Sequence, residues 1–243
     1  MKVIITILAA MLITLGLLTS CTTVKVEGSG NLVNEPFEFS DFTEVKVENG
    51  FEVELTQSST FSVVVTADDN VLEHIEVSKS GDTLRIKPKG NRAFRSVTMK
   101  AKITMPDLYK IELSSGSKAE IIGFNSLHNL SVRLSDGSEM NSSIGQSFIT
   151  TGDVDFDLSD GSKVTLSGLA SNLHVRSSDG GSLDLEAFSV NNADVKLHNG
   201  SLATVNVEGT LNADLSGYSD LIYIGQPTMG NIEVSSDSAI NSK

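Results

Sequence analysis

The residue with the most specific chemistry is the chain's one cysteine. Cys21 follows Leu18-Thr19-Ser20 and an apolar run from Val3 to Leu18, itself preceded by Met1-Lys2. A basic start, a short apolar core and small residues at a boundary form a secretory signal over residues 1–20. The run has 16 residues, short of the ~20 that span a bilayer. The Leu-Thr-Ser-Cys ending resembles the bacterial lipobox. In such signals the Cys thiol receives a diacylglycerol, cleavage falls before the Cys, and the freed amine is acylated, commonly with palmitate. One acyl chain binds a membrane marginally, and two or more anchor it stably. Cys21 is therefore the predicted lipid attachment site. Thr22-Thr23 replaces the Asp that would resemble an inner-membrane retention signal, which favours the outer membrane. The periplasmic face and the cell surface both stay open.

Other residues could do chemistry in principle. Asp136, Asp160 and Asp179 hold equivalent turn positions, and a row of carboxylates suits Ca²⁺. Ser115 and Asn199 interrupt that row, the turns lack the Gly-Gly-x-Gly-x-Asp pattern of calcium solenoids, and Asp before Gly is ordinary turn chemistry. The four histidines are His74, His128, His174 and His198. His174 and His198 lie near strand ends one repeat apart and could be neighbours. A zinc site needs three or four ligands with supporting partners, and no HExxH-like spacing exists, so these read as surface histidines. Asp153, Asp155, Asp157, Asp184 and Glu186 could supply the acid pair of a polysaccharide-cleaving enzyme. They alternate with apolar residues, as the solvent face of a strand does. Sugar platforms are scarce: Tyr109, Tyr218 and Tyr223, with no Trp. The reading is no metal, no cofactor and no enzyme. Lys87, Lys89, Arg92, Arg95, Lys100 and Lys102 form the one basic cluster, a solvated face or a contact patch for an acidic glycan or a partner.

The elements that carry these residues are strands. Val45 and Val47, then Phe51, Val53 and Leu55, alternate with polar residues around Asn49-Gly50, a strong hairpin signal. Phe61/Val63/Val65, Ile75/Val77, Leu84/Ile86 and Val97 to Met105 continue the period of two, with Ser80-Gly81-Asp82 as a turn. Only Asp68 to Glu73 reads as a helical turn, with Asp68 or Asp69 as its cap. No 3.6-residue apolar period persists, so the class is all-β. Residues 21–37 are polar and Gly/Ser/Asn-bearing and read as a lipidated tether. The body then spans 38–243, strand-rich over about 38–106 and repetitive over about 107–243.

The repeats read Leu113-Ser-Ser-Gly116-Ser, Leu134-Ser-Asp-Gly137-Ser, Leu158-Ser-Asp-Gly161-Ser, Arg176-Ser-Ser-Asp-Gly180, Leu197-His-Asn-Gly200-Ser, Leu215-Ser-Gly217-Tyr-Ser and Val234-Ser-Ser-Asp237-Ser. A period near 20 in an all-β chain marks a solenoid, a right-handed β-helix whose coils bury a common core. Seven coils about 4.8 Å apart give a rod of roughly 35 Å. A meander of hairpins is the rival, because Asp-Gly between alternating strands is also a hairpin signal. Charge narrows the role: 31 acidic against 18 basic residues exclude nucleic acid as a partner. An acidic body is repelled by anionic headgroups and would stand off the membrane. One Cys excludes internal disulfides.

Phe42 to Gln57, Asp69-Asn70-Val71-Leu72, Leu84-Arg-Ile86-Lys and the Ser-Asp-Gly-Ser turns resemble the auto-transporter adhesin family of the head GIN domain, common as lipoproteins in Bacteroidota. The resemblance covers about residues 38–235. It implies stacked, helix-like β repeats and offers no catalytic motif. The expected protein is a lipid-anchored cell-envelope adhesin or a protein- or glycan-binding module. The alternatives are an architectural envelope protein without a soluble ligand, and a polysaccharide-active β-helix enzyme.

Overall fold

The computed structural model describes residues 24–243 apart from 91, 143, 144, 146 and 151. The signal segment read in residues 1–20, and Cys21, lie outside the described residues. The chain begins with β1 (Val24–Glu27), β2 (Leu32–Phe37), β3 (Glu44–Glu48), β4 (Glu52–Gln57) and β5 (Ser62–Asp68). A single helical turn α1 (Asp69–Leu72) leads to β6 (Ile75–Ser80), β7 (Thr83–Pro88), β8 (Arg92–Arg95) and β9 (Met99–Met105). The alternation of apolar and polar residues in this half matches its burial, with Val45, Val47, Val53, Leu55, Leu84 and Ile86 inside.

Asn49 and Gly50 have φ of +63° and +75°, the type I′ signature. They do not make the hairpin expected of them. β3 and β4 pair with other strands, β3 with β7 and β4 with β9, both in parallel. The turn is a corner, because remote strands offer each arm a full ladder. Ser80-Gly81-Asp82 does close a hairpin, between antiparallel β6 and β7. β2, β5 and β9 form a short antiparallel sheet.

The repeats follow as β10 (Lys110–Ser114), β11 (Lys118–Ile122), β12 (Asn125–Ser126), β13 (Leu130–Leu134), β14 (Glu139–Ser142), β15 (Phe148–Thr150), β16 (Asp153–Leu158), β17 (Lys163–Thr165) and β18 (Gly168–Ser177). β19 (Ser182–Leu197), β20 (Leu202–Val207), β21 (Thr210–Leu215), β22 (Asp220–Ile224), β23 (Thr228–Val234) and β24 (Ala239–Ser242) complete them. They build a β-solenoid of about six turns. One face, A, stacks β7, β3, β10, β13, β16, the ends of β18 and β19, β21 and β23, all parallel. Face B stacks β9, β4, β11, β14, β17, the start of β19, β20, β22 and β24. A shorter third face runs through β12, β15, the start of β18 and the middle of β19.

Two boundaries differ from those read in the sequence. Residues 42–57 belong to the stack itself, and residues 58–106 fold back to place β7 and β9 beneath them, closing that end. The span read as a tether also contains strands. β1 pairs with β8 in parallel and β2 with β5. The loop between β1 and β2 is clasped to α1. The buried Asp68 carboxylate accepts from the Gly30 amide at 2.6 Å and the Thr98 amide at 2.7 Å rather than capping the helix. Asp69 accepts from Ser29 Oγ at 2.6 Å and Asn31 Nδ2 at 2.8 Å. Those hydrogen bonds hold the Asp69 carboxyl below its ordinary range. From Val24 onward the chain is part of the body.

The A-to-B corner explains the repeated Ser-Asp-Gly-Ser. Asp136, Asp160, Asp179 and Asn199 have φ of +52° to +54°, and the following glycines +70° to +78°. Asp and Asn tolerate this left-handed conformation, and Gly adopts it freely. Successive corners are joined by backbone bonds: the amides of Gly116, Gly137, Gly161 and Gly180 donate to the carbonyls of Asp136, Asp160, Asp179 and Asn199. Behind these glycines, except at Gly180 where Gly181 follows, a buried serine closes the turn. Ser117, Ser138, Ser201 and Ser219 donate at 2.7–2.8 Å to the carbonyl three residues earlier, and Ser162 does the same to Ser159. A buried hydroxyl without such a partner would cost about 1–3 kcal/mol.

Candidate functional site

Inward side chains fill the core, so the chemistry available to a partner lies on the outward residues of each strand. On face A register sets two lines of them. One runs Ser131, Asp155, His174, Asp194 and Asn212; the next runs Arg133, Asp157, Arg176, Lys196 and Asp214. Neighbours along each line are one strand spacing apart, about 4.8 Å.

The two ends of this face are electrostatically different. Toward the cap, Glu112 is gripped by Lys46 at 2.8 Å and by Lys110, with Arg133 at 3.7 Å. Partial burial alone would raise the Glu112 carboxyl, but the hydrogen bonds from Lys110 and Lys46 outweigh it and bring it down to about 2. Arg133 also reaches Asp157 at 3.9 Å. A depression of about 320 Å³ lies here, lined by Lys46, Glu112, Arg133, Ser135, Asp157 and Ser159. Farther along, exposed Arg176 and Lys196 sit side by side and take part in no ion pair among the described residues. A second depression of about 390 Å³ adjoins them, lined by Asp194, Lys196, Asn212, Asp214, Asn231 and Glu233.

On face B three lysines are paired, while Lys163 of β17 is exposed and takes part in no ion pair among the described residues. Lys100 meets Glu52 at 2.8 Å, Lys102 meets Glu54 at 3.3 Å, and Lys118 meets Glu139 at 2.9 Å. The hydrogen bonds that Lys100 and Lys118 donate to the Glu52 and Glu139 carboxylates raise both amines above the usual range. The basic cluster is thereby divided: Lys100 and Lys102 belong to face B, Lys87 lies 3.7 Å from Glu76, and Lys89, Arg92 and Arg95 stay at the cap.

The remaining candidates separate. His174 stands beside Asp155 and Asp194, whereas His198 lies in the row of Ser216 and bonds its Oγ through Nδ1 at 2.6 Å. They are not neighbours, because their rows lie four positions apart along the chain. His128 lies between Asp107 at 2.6 Å and the Asn129 carbonyl at 2.8 Å, stacked on Tyr109 with ring centroids 3.4 Å apart. His74 lies 3.7 Å from Glu73. Among the described residues no three His, Asp or Glu converge as a metal site, and Asn199 Nδ2 donates to Asp179 at 3.1 Å at the end of the Asp row. Asp153 accepts from Asn172 at 2.7 Å, and Asn172 from Asn192 at 2.9 Å, a polar ladder at the corner leading into face A. Asp155 and Asp157 point out of face A, while Asp184 and Glu186 belong to the stretch beginning on face B, where Lys243 contacts Glu186. The ladder and the buried serine row escaped the sequence reading. Both were signalled by residues recurring at the repeat period: Asn172 and Asn192, and the Ser after Gly116, Gly137, Gly161 and Gly200.

No helix among the described residues is long and apolar enough to cross a membrane. Solved structures share the fold. A "putative adhesin" from Bacteroides fragilis aligns with a TM-score of 0.77 at 19% identity, over 90% of this chain and 100% of that one. A "putative adhesin" from Parabacteroides merdae gives 0.72 at 16% identity, over 91% and 100%. A "putative lipid binding protein" from Parabacteroides distasonis gives 0.68 at 16% identity, over 90% and 99%. No curated protein matches the chain. None of these descriptions names an enzyme. The family model described as "Putative auto-transporter adhesin, head GIN domain" matches residues 41–227, so this chain, with its opening motif at 42–57 and its Ser-Asp-Gly-Ser coils, belongs to the head GIN domain family.

Proposed function

We propose that this protein is a lipid-anchored, non-catalytic envelope adhesin that recognises a protein or glycan through the distal part of face A. The carrying observation is the Arg176–Lys196 pair: two exposed cations in register, free of ion pairs among the described residues, flanked by Asp155, His174 and Asp194 and beside an open depression. A ligand bearing carboxylates or sulfates, such as an acidic glycan or peptide, matches that pattern, since charge-assisted hydrogen bonds are the stronger kind. The family's adhesin description agrees with an envelope location. Acylation of Cys21 supplies the anchor, and Cys21→Ser should leave the chain unacylated.

The test is binding of the acylated chain, in detergent, to arrays of acidic glycans and envelope proteins. Arg176→Ala/Lys196→Ala should weaken the interaction about tenfold or more, given 1.5–3 kcal/mol for a hydrogen bond to a charged group. Equal binding by the double variant overturns the assignment to face A. Binding to nothing on either array favours an architectural protein.

A further inference from the structure

The cap end of the solenoid differs from the coils in charge, and it is the end from which the anchored segment emerges. The cap segments, residues 22–41 and 58–106, hold nine basic and nine acidic side chains. The coil segments, residues 42–57 and 107–243, hold eight basic and twenty-two acidic ones. The whole negative excess of the mature chain therefore lies on the coils. Within the cap, Lys25, Lys89, Arg92 and Arg95 gather at the β1–β8 pair, where Lys25 sits opposite Ala93 and Arg95 opposite Glu27. Lys25, Lys89 and Arg95 are exposed, and none of the four takes part in an ion pair among the described residues. Lys89 and Arg92 donate to backbone carbonyls, those of Glu73 and Lys89. The nearby acids are Glu27 and Glu73, and Asp68 and Asp69, whose oxygens accept from the β1–β2 loop and, for Asp68, also from the Thr98 amide.

Distance makes this group matter. Three Cα steps separate Cys21 from Val24, so the acylated residue lies within about 11 Å of the start of β1. β1 is not a loose leash: it pairs with β8, and the loop after it is bonded to α1. At physiological salt the Debye length is about 8 Å, so charges on β1 and β8 are held where headgroups are felt.

We propose that the cap is a membrane-contact surface: Lys25, Lys89, Arg92 and Arg95 bind the phosphates of anionic glycerophospholipid headgroups, and the acidic coils point away. This rests on the anchoring of Cys21 and adds an orientation to it. It also refines the expectation of a body repelled by its membrane: repulsion acts on the coils and stands the rod upright on its cap. Face A then runs outward, with Arg176 and Lys196 well away from the lipid.

The test uses the acylated chain reconstituted in vesicles of phosphatidylcholine, or of phosphatidylcholine with phosphatidylglycerol at 7:3, digested with trypsin at low and high NaCl. Mass spectrometry reads acylation of Cys21 and cleavage after Lys89, Arg92, Arg95 and, as internal reference, Lys196. Relative to Lys196, cleavage at the three cap sites should be about tenfold slower on the anionic vesicles at low salt, and high salt should abolish the difference, as expected for roughly additive contributions per basic residue. Lys25→Glu/Lys89→Glu should remove the protection of Arg92. If that variant melts abnormally, the salt dependence of the wild type decides. An acylated chain cleaved alike on both vesicles overturns the proposal and leaves the anchor standing. An unmodified Cys21 overturns the anchor and the proposal with it.

Discussion

At the scale of single residues, the coil over 172–181 shows how the repeat absorbs an exchange. Its turn reads Ser177-Ser178-Asp179-Gly180-Gly181, with Ser177 in register with Leu158 and Leu197. Serine stands where leucine stands in its neighbours, and Gly181 takes the place of the buried serine. The exchange is concerted: a Cβ at Gly181 would press on Ser177 Oγ. The Ser177 hydroxyl is buried without a hydrogen-bond partner. Ser177→Ala should therefore be neutral or stabilising by up to about 1 kcal/mol in denaturant unfolding, since it removes an unpaired buried group. Ser138→Ala should cost about 1 kcal/mol, because Ser138 Oγ donates to Ser135 at 2.8 Å. Equal losses at the two sites would mean that Ser177 has a partner after all. The sequence pointed to Arg176 as the head of this turn; register moves that role to Ser177, because Arg176 faces outward beside Asp157.

At the scale of elements, the test is whether a coil is a unit. Ser182 and Leu202 are in register, so residues 182–201 are one period. Removing them joins Gly181 to Leu202, keeps the Ser178-Asp179-Gly180 corner, and brings β21 onto the end of β18 with inward residues still inward. Removing 182–191 leaves half a coil and no continuous ladder. In a solenoid the loss is one repeat's intrinsic stability and one interface. The 20-residue deletion should give a strand-type circular dichroism spectrum and a cooperative melt at reduced temperature, and the 10-residue deletion should give neither. Equal unfolding of both would contradict nearest-neighbour stacking. The alternation that marked each strand, and the turn chemistry at 136–137 and 160–161, were legible without coordinates. The role of Asn49-Gly50 was not: its φ values suit a hairpin and a corner alike, and the choice rests on β7, β9, β10 and β11, all distant in sequence.

At the scale of the molecule, charge is distributed along the rod. Fourteen carboxylates on the coils are unmatched by a basic residue, and stacking at about 4.8 Å brings like charges within a Debye length. Exposed ion pairs such as Lys100–Glu52 are worth only about 0–1 kcal/mol each, so net repulsion dominates the salt response. Raising NaCl from about 20 to about 300 mM should raise the melting temperature by a few degrees, as screening relieves self-repulsion. A fall would show that the paired ladders outweigh the unpaired acids. The sequence by itself determined the class, the 20-residue period, the corner residues and the candidate anchor, because these depend on local alternation, on backbone conformations that Asp, Asn and Gly tolerate, and on a contiguous signal. Only the tertiary structure decided that residues 58–106 close one end of the stack, that Lys100 and Lys102 are spent on Glu52 and Glu54, and that His174 lies between Asp155 and Asp194. Alternation says which side chains face inward, but parallel strands from different coils meet only through long-range register, and register sets every neighbour on the surface.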